Sequence, residues 1–132
     1  MARPVTRLLL DTSVLIAGLP ASASGPQATA AISVITLGEL RAGVRLATDP
    51  EIRAQRQARL AAIRTTFEPL VIDEQVAEQY GEILAAARAQ KRITKATDLL
   101  IIATAAATGR TLVTRDDAQA GLARLSGVAV SG

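Results

Sequence analysis

The sequence contains no cysteine and no histidine, and only 2% of its 132 residues are aromatic. Without cysteine the chain has no thiol nucleophile, no CxxC redox site and no thiolate zinc site. Without histidine it lacks the usual general base near neutral pH, which excludes serine-triad and paired-imidazole mechanisms. Any chemistry must therefore come from carboxylates, hydroxyls, lysine or arginine, and a metal ion.

The chain also lacks a continuous apolar run that could cross a membrane. Residues 12–38 carry no charge, but Pro20 and Pro26 interrupt them, and an apolar helix cannot run through these positions. The N-terminus resembles a secretion signal only loosely, because Asp11 cuts its apolar region short. We therefore expect a soluble cytoplasmic protein that folds as a single domain over residues 1–132.

The formal net charge of +3 is unevenly distributed. Residues 41–64 carry six Arg against two acidic residues, and residues 88–95 carry four basic residues and no acid. The rest of the chain is consequently net acidic. This division favours a polyanionic partner held near a carboxylate cluster, although two solvated helix faces would give the same pattern.

Predicted strands and helices alternate along the chain, which favours an α/β fold with a central parallel sheet and helices on both faces. Strands are predicted at residues 5–10, 32–35, 69–72, 111–114 and 128–130. Helices are predicted from a capping box at 36–39 to about 47, after Asp49-Pro50, after Asp73, over 96–108, and from about 117 to 125. Residues 18–27 are predicted to form a loop.

Four acidic residues fall where predicted strands end or predicted helices begin. Asp11 follows the first strand, Asp116 follows the fourth, and Glu39 and Asp98 lie in the first turns of their helices. Sites in open parallel sheets form outside the carboxyl ends of the strands, so these side chains could meet at one edge. Their mutual repulsion would favour Mg²⁺ or Mn²⁺, which can support phosphodiester hydrolysis without histidine.

Each of these acids also has a purely structural interpretation. Glu39 could complete the capping box, Asp98 could interact with a helix dipole, and Asp116 or Asp117 could cap the next helix. Asp11 is different, because a carboxylate directly after an apolar central strand needs a partner or access to solvent. The sequence therefore leaves open a non-catalytic α/β partner-binding or signalling module that would tolerate Asp11→Ala.

Four segments carry motifs in a fixed order: Leu10–Ile16 (LDTSVLI), Thr36–Leu40 (TLGEL), Thr97–Ala105 (TDLLIIATA) and Leu112–Asp116 (LVTRD). Together they resemble the PIN-domain ribonucleases, and specifically the VapC-type toxins of bacterial toxin–antitoxin pairs. The resemblance implies an α/β/α sandwich around a parallel sheet and Mg²⁺- or Mn²⁺-dependent endoribonuclease activity on RNA. It also implies a cognate antitoxin protein that blocks the site, and a homodimer of the toxin.

The same resemblance implies roles for individual residues. Asp11, Glu39, Asp98 and Asp116 would form the acidic catalytic set. The three aspartates would hold the metal ion, and Glu39 would orient or deprotonate the attacking water. Ser13 would support Asp11, or a metal-bound water, through its hydroxyl.

The chain departs from the family pattern after the fourth motif. A further acid followed by an aromatic residue is common there, and this chain has Gln119 and Ala120 instead. Asp117 would replace that acid only in part, so the fourth ligand is open between Asp116 and Asp117. A different enzyme class, the haloacid-dehalogenase-like phosphatases, is disfavoured because its second Asp would stand where this chain has Ser13.

The second basic segment contains the residues that we expect to bind RNA. Arg92 and Lys95 flank the start of the helix that carries Asp98. Cations in this place are suited to hold a phosphate backbone next to a carboxylate-bound metal.

Overall fold

The computed structural model describes residues 6–17 and 28–131, and these form the predicted α/β fold. The strands are β1 (Thr6–Leu10), β2 (Ala28–Ser33), β3 (Glu68–Leu70), β4 (Thr111–Val113) and β5 (Val130–Ser131). The helices are α1 (Thr12–Ala17), α2 (Val34–Leu46), α3 (Pro50–Thr66), α4 (Glu74–Ala89), α5 (Ala96–Thr108) and α6 (Asp117–Leu125). Val5 and the loop predicted over 18–27 lie outside the described residues.

The strand β1 lies at the centre of the sheet, whose order is β3-β2-β1-β4-β5 with every pairing parallel. Alternate side chains of β1 enter two different cores. Leu9 packs mainly with α4, α5 and α6, whereas Leu8 and Leu10 pack with α1, α2 and α3 on the opposite face. The last three residues of β1 are buried between helices on both faces and must be apolar, which explains the Leu8–Leu10 run. The predicted α/β/α sandwich is confirmed.

The helix ends that depend on local capping agree with the predictions. Asp49 and Asp73 are the N-caps of α3 and α4, and their carboxylates accept hydrogen bonds from the Glu51 and Val76 N–H groups at 2.8 and 2.9 Å. The apolar helix α5 ends at Gly109, whose φ of 63° is the left-handed conformation that glycine adopts without strain. In the part of the chain that is described, no helix is both long and apolar enough to cross a membrane.

The start of α2 differs from the predicted one. The helix begins directly after Ser33, which is its N-cap and whose Oγ accepts a hydrogen bond from the Ile35 N–H at 3.0 Å. Thr36 is therefore fully buried within the helix, and Glu39 lies in the second turn. The strand predicted over 32–35, the capping box and the first-turn placement of Glu39 are wrong, because an earlier cap starts the helix.

The edge strands are also displaced from their predicted positions. β3 ends at Leu70 instead of running over 69–72, and in the parallel register Leu70 pairs with Ser33. Since α2 begins after Ser33, β2 offers no further residue to extend that pairing. β5 likewise covers 130–131 and not 128–130.

Two of the six arginines in the first basic segment stabilise the fold. Arg53 Nε and Nη2 on α3 both donate to the Ala47 carbonyl oxygen, at 3.1 and 2.7 Å, and Arg56 Nη1 donates to the Gly43 carbonyl at 2.8 Å. These carbonyls belong to the C-terminal end of α2, where the helix leaves acceptors unpaired and where positive charge is favourable. The two arginines thus join α3 to α2.

We expect Arg53→Ala to lower the free energy of unfolding by about 1 kcal/mol, because it removes two charge-assisted hydrogen bonds from one helix end. Arg53→Lys retains the positive charge but cannot donate two hydrogen bonds to the Ala47 carbonyl, so its free energy of unfolding should lie between those of Arg53→Ala and the wild type. Urea unfolding of the three proteins measures both changes. An Arg53→Ala protein as stable as the wild type would contradict this role.

Candidate active site

The candidate site lies at the carboxyl edge of the sheet, between β1 and β4. The neighbours of β1 are β2 on one side and β4 on the other, so the order of the strands reverses at β1. The segments that follow β1 and β4 therefore lead to opposite faces of the sheet, and a crevice forms between them at the carboxyl ends of these strands. The Asp11 N–H donates to the Val113 carbonyl at 2.9 Å and keeps the two strands together up to their last residues. Asp11 and the β4–α6 loop therefore face each other across a short, fixed distance.

Asp11 is a buried carboxylate, 5% exposed, and is held by hydroxyl groups. Its Oδ2 accepts hydrogen bonds from Ser13 Oγ at 2.7 Å and from Thr114 Oγ1 at 3.0 Å, with the Ser13 N–H at 3.3 Å. These donors replace the water that burial removes. The contact between Ser13 and Asp11 that the sequence predicts is present.

The same two hydroxyls bind the backbone of the loop that carries Asp116. Ser13 Oγ accepts from the Arg115 N–H and Thr114 Oγ1 accepts from the Asp116 N–H, both at 3.0 Å. Asp116 is the N-cap of α6, because its Oδ1 accepts from the Gln119 N–H at 3.1 Å, and Asp117 is the first helical residue. The capping interpretation thus holds for Asp116, and it occupies one of its two carboxylate oxygens.

Glu39 is connected to the residue that follows Asp11. Thr12 Oγ1 donates to Glu39 Oε1 at 2.8 Å and lies 3.2 Å from Thr36 Oγ1. The Thr12 hydroxyl has one proton, and the shorter of the two contacts assigns it to Glu39. The start of α2 directly after Ser33 therefore places the exposed Glu39 carboxylate beside the start of α1.

Asp98, half-buried in the first turn of α5, shows that the acids share one electrostatic environment. Its pKa is raised above the ordinary value, first by burial and then by the negative charges of Asp116 and Asp11, with Glu39 adding to the effect. Lys95 partly opposes the shift. The fold thus brings together all four acids that the sequence singled out.

The oxygen donors fit a hard divalent cation, although they are not a preformed cage. Among residues 6–17 and 28–131 no three acidic side chains converge as ligands of a single ion. Mg²⁺ does not need three, because it keeps several waters and is commonly held by one or two carboxylates. The neighbouring carboxylates repel the negative charge of Asp98, and a bound cation would offset this repulsion.

A cleft of about 310 Å³ runs alongside two of the acids. Asp98 and Asp116 line it together with Arg92 and Lys95, and both basic side chains are exposed. The guanidinium of Arg92 lies over α6 at Gly121, where a Cβ would be 3.6 Å from Nη2. The structure therefore places the two predicted phosphate-binding residues on the same cleft as two of the acids.

Sequence reasoning missed two partners of Asp11. Thr114, predicted only as the end of a strand, and Gln119, noted only as a departure, are 5% and 3% exposed and both contact Asp11 or each other. Thr114 carried a usable signal, because a polar residue directly after an apolar strand reaches the same edge as Asp11. The sequence contains no corresponding signal for Gln119, since its contact with Asp11 depends on how α6 packs against the sheet.

Comparison with known proteins is consistent with this geometry. The family model described as PIN domain matches residues 8–125. Ribonuclease VapC4 of Mycobacterium tuberculosis is 41% identical over 117 residues, covering 86% of this chain and 88% of the relative. Ribonuclease VapC5 of the same organism is 35% identical, covering 83% and 82%. The crystal structure of VapBC-5 from M. tuberculosis, a member of the VapBC family of toxin-antitoxin systems, superposes with a TM-score of 0.83 at 34% identity, covering 95% and 97%.

Asp98→Asn is expected to stabilise the metal-free protein. A carboxyl group with a raised pKa in the folded state costs stability as the pH rises above its ordinary value, and Asn removes that cost. The gain is expected at pH 7 as a higher melting temperature of Asp98→Asn than of the wild type. Melting in EDTA measures it.

The matched control is Asp117→Asn, which removes an exposed charge one residue beyond Asp116 and should give no gain. The difference in melting temperature between the wild type and Asp98→Asn should also shrink at about pH 3, where the Asp98 carboxyl is mostly protonated. An Asp98→Asn protein that melts at or below the wild-type temperature at pH 7 would show that repulsion at the site is unimportant.

Proposed function

The chain belongs to the PIN domain family, and on this premise we propose that it is a metal-dependent endoribonuclease acting as the toxin of a toxin–antitoxin pair. The reaction is hydrolysis of RNA phosphodiester bonds. The observation that carries the proposal is the gathering of Asp11, Glu39, Asp98 and Asp116 at the carboxyl edge of β1 and β4. A module without catalytic activity would not need Asp98 to lie near three other acids, or two of these acids to line a cleft with Arg92 and Lys95.

In this proposal Asp11 and Asp98 are the principal ligands of Mg²⁺ or Mn²⁺, and Asp116 would complete the ion's shell directly or through a water molecule. A divalent ion bound there supplies positive charge to the phosphoryl group and makes a water molecule nucleophilic near neutral pH. Asp116 Oδ1 caps α6, so Oδ2 is the oxygen of this residue that would be available to an ion. The hydroxyl donors to Asp11 converge on Oδ2, so Oδ1 accepts no hydrogen bond from Ser13 or Thr114.

Glu39 acts on the attacking water. Its Oε1 accepts the Thr12 hydroxyl proton, so Oε2 is the oxygen that orients the water and accepts its proton. Glu39 is exposed, which gives water direct access to this carboxylate. The hydrogen bond from Thr12 to Oε1 fixes the direction in which the Glu39 carboxylate points.

Arg92 and Lys95 bind the RNA backbone along the cleft. Both are exposed on the segment that leads into α5, next to Asp98. Phosphate contacts of this kind position a strand without reading its sequence. They would hold the scissile phosphate beside the acids.

The physiological partners follow from the relatives. The VapBC-5 structure is described as part of a toxin-antitoxin system. We therefore propose that a cognate antitoxin protein covers the site of this chain when the toxin is held inactive, and that free toxin acts on RNA in the cytoplasm. The homodimer remains a prediction.

Cleavage of RNA should require a divalent cation and the acidic set. With Mg²⁺ or Mn²⁺ the purified protein should cut RNA internally, and EDTA should abolish the activity. Asp11→Ala, Asp98→Asn and Asp116→Asn should each lose at least about a hundredfold in rate, because each removes a metal ligand. Gel analysis of labelled RNA after timed incubation measures the rates.

Asp116→Asn retains a good N-cap, so its loss would reflect chemistry and not unfolding. Asp117→Asn is the matched control and should retain most of the activity, which also decides between the two candidate fourth acids. Metal-independent cleavage, or full activity of Asp11→Ala, would contradict the proposed mechanism, whereas no cleavage by the wild type with either ion would favour the non-catalytic module.

Neutralising Arg92 and Lys95 together should weaken RNA binding and flatten its salt dependence. Each phosphate contact to a single strand contributes about 0.7 to the slope of log K against log salt, so the double Gln variant should lose roughly 1.4. Fluorescence anisotropy with labelled RNA and catalytically inactive Asp98→Asn protein provides the measurement. The control is the double variant Arg45→Gln with Arg64→Gln, which removes equal charge from exposed positions on α2 and α3. An unchanged slope would assign Arg92 and Lys95 to an ordinary solvated surface.

A further inference from the structure

Gln119 is a buried polar residue that none of the roles above uses. It lies in the first turn of α6, is 3% exposed, and its side-chain amide contacts Asp11 and Thr114. A buried amide without hydrogen-bond partners lowers the stability of the fold, so the partners of the Gln119 side chain indicate its role.

The orientation of the amide follows from its neighbours. With Nε2 directed at Asp11, the amide nitrogen lies 3.0 Å from Oδ2, 3.2 Å from Oδ1 and 3.1 Å from Thr114 Oγ1. The opposite orientation would place Oε1 against two carboxylate oxygens, which have no proton to share. The Thr114 hydroxyl donates its single proton to Asp11, so toward Gln119 it can only accept. The amide therefore donates to both residues.

Gln119 also connects the two acids that follow β1 and β4. Its backbone N–H donates to Asp116 Oδ1 at 3.1 Å, while its side-chain N–H groups reach Asp11. One residue thus sets the position of one carboxylate through the main chain and of the other through the side chain. Because the amide is neutral, it does so without adding a negative charge to the site.

We propose that Gln119 is a positioning residue that fixes the Asp11 carboxylate relative to Asp116 for binding a divalent cation. The inference rests on the proposed function in one respect, namely that Asp11 is a metal ligand. Partners that orient a metal ligand typically contribute 10–100-fold in metal affinity or activity. The same range is expected here.

The first test is Gln119→Met, which retains the length and approximate volume of the side chain but removes its donors. In calorimetric titration with Mn²⁺, the dissociation constant should rise by about 10–100-fold. In RNA cleavage kcat should fall while KM for RNA stays within about twofold, because the cleft cations are unchanged. Gln79→Met, at an exposed position beside the amino ends of β4 and β5, is the matched control and should match the wild type in both measurements.

A second variant covers the case in which Gln119→Met does not fold. Gln119→Glu places a carboxylate about 3 Å from Asp11, so the melting temperature in EDTA should fall by about 4 °C or more and recover on addition of Mn²⁺. Gln79→Glu should show neither effect. A Gln119→Glu protein that melts like the wild type in EDTA would overturn the proposal, as would a folded Gln119→Met protein with wild-type Mn²⁺ affinity.

These measurements separate the positioning role from the proposed function. A wild-type protein that binds Mn²⁺ but leaves RNA intact overturns the nuclease activity alone, and the Mn²⁺ titrations still decide the role of Gln119. A wild-type protein that binds no Mn²⁺ overturns both.

Discussion

The burial of the Asp11 carboxylate is the constraint on which the rest of the site depends. A charge at the end of a central strand must be surrounded by donors, and no one element supplies them. Ser13 comes from α1, Thr114 follows β4, and Gln119 comes from α6. Satisfying one carboxylate therefore fixes how three segments meet at the carboxyl edge. The loop that presents Asp116 is positioned by the same hydroxyls.

The site is assembled at a cost to the metal-free fold. Burial and the charges of Asp116 and Asp11 both raise the pKa of Asp98, so its ionised form is disfavoured in the folded protein. The large apolar cores on both faces of β1 supply the stability against which this repulsion is set. Repulsion of this kind is relieved when a cation binds nearby.

Residues whose roles are local were predictable, and those whose roles are tertiary were not. The ends of α5 and the caps Asp49 and Asp73 depend on a few neighbouring residues, and they agree with the structure. The capping-box argument for Glu39 is wrong, since Ser33 and not Thr36 starts α2. Glu39 is a candidate site residue through the resemblance of the TLGEL segment, whereas its hydrogen bond from Thr12, across 27 positions, has no local sequence signal. The same holds for Gln119, whose contact with Asp11 exists only once α6 is docked.

The two basic segments show why charge counts alone cannot assign function. In the first, Arg53 and Arg56 donate to carbonyls at the end of α2, so part of its charge serves the fold. In the second, Arg92 and Lys95 line a cleft together with Asp98. A phosphate entering this cleft is attracted by the cations and repelled by the acids, and a bound metal ion would remove the repulsion. RNA and metal would therefore favour each other's binding, a coupling that follows from the charges and not from any conformational change.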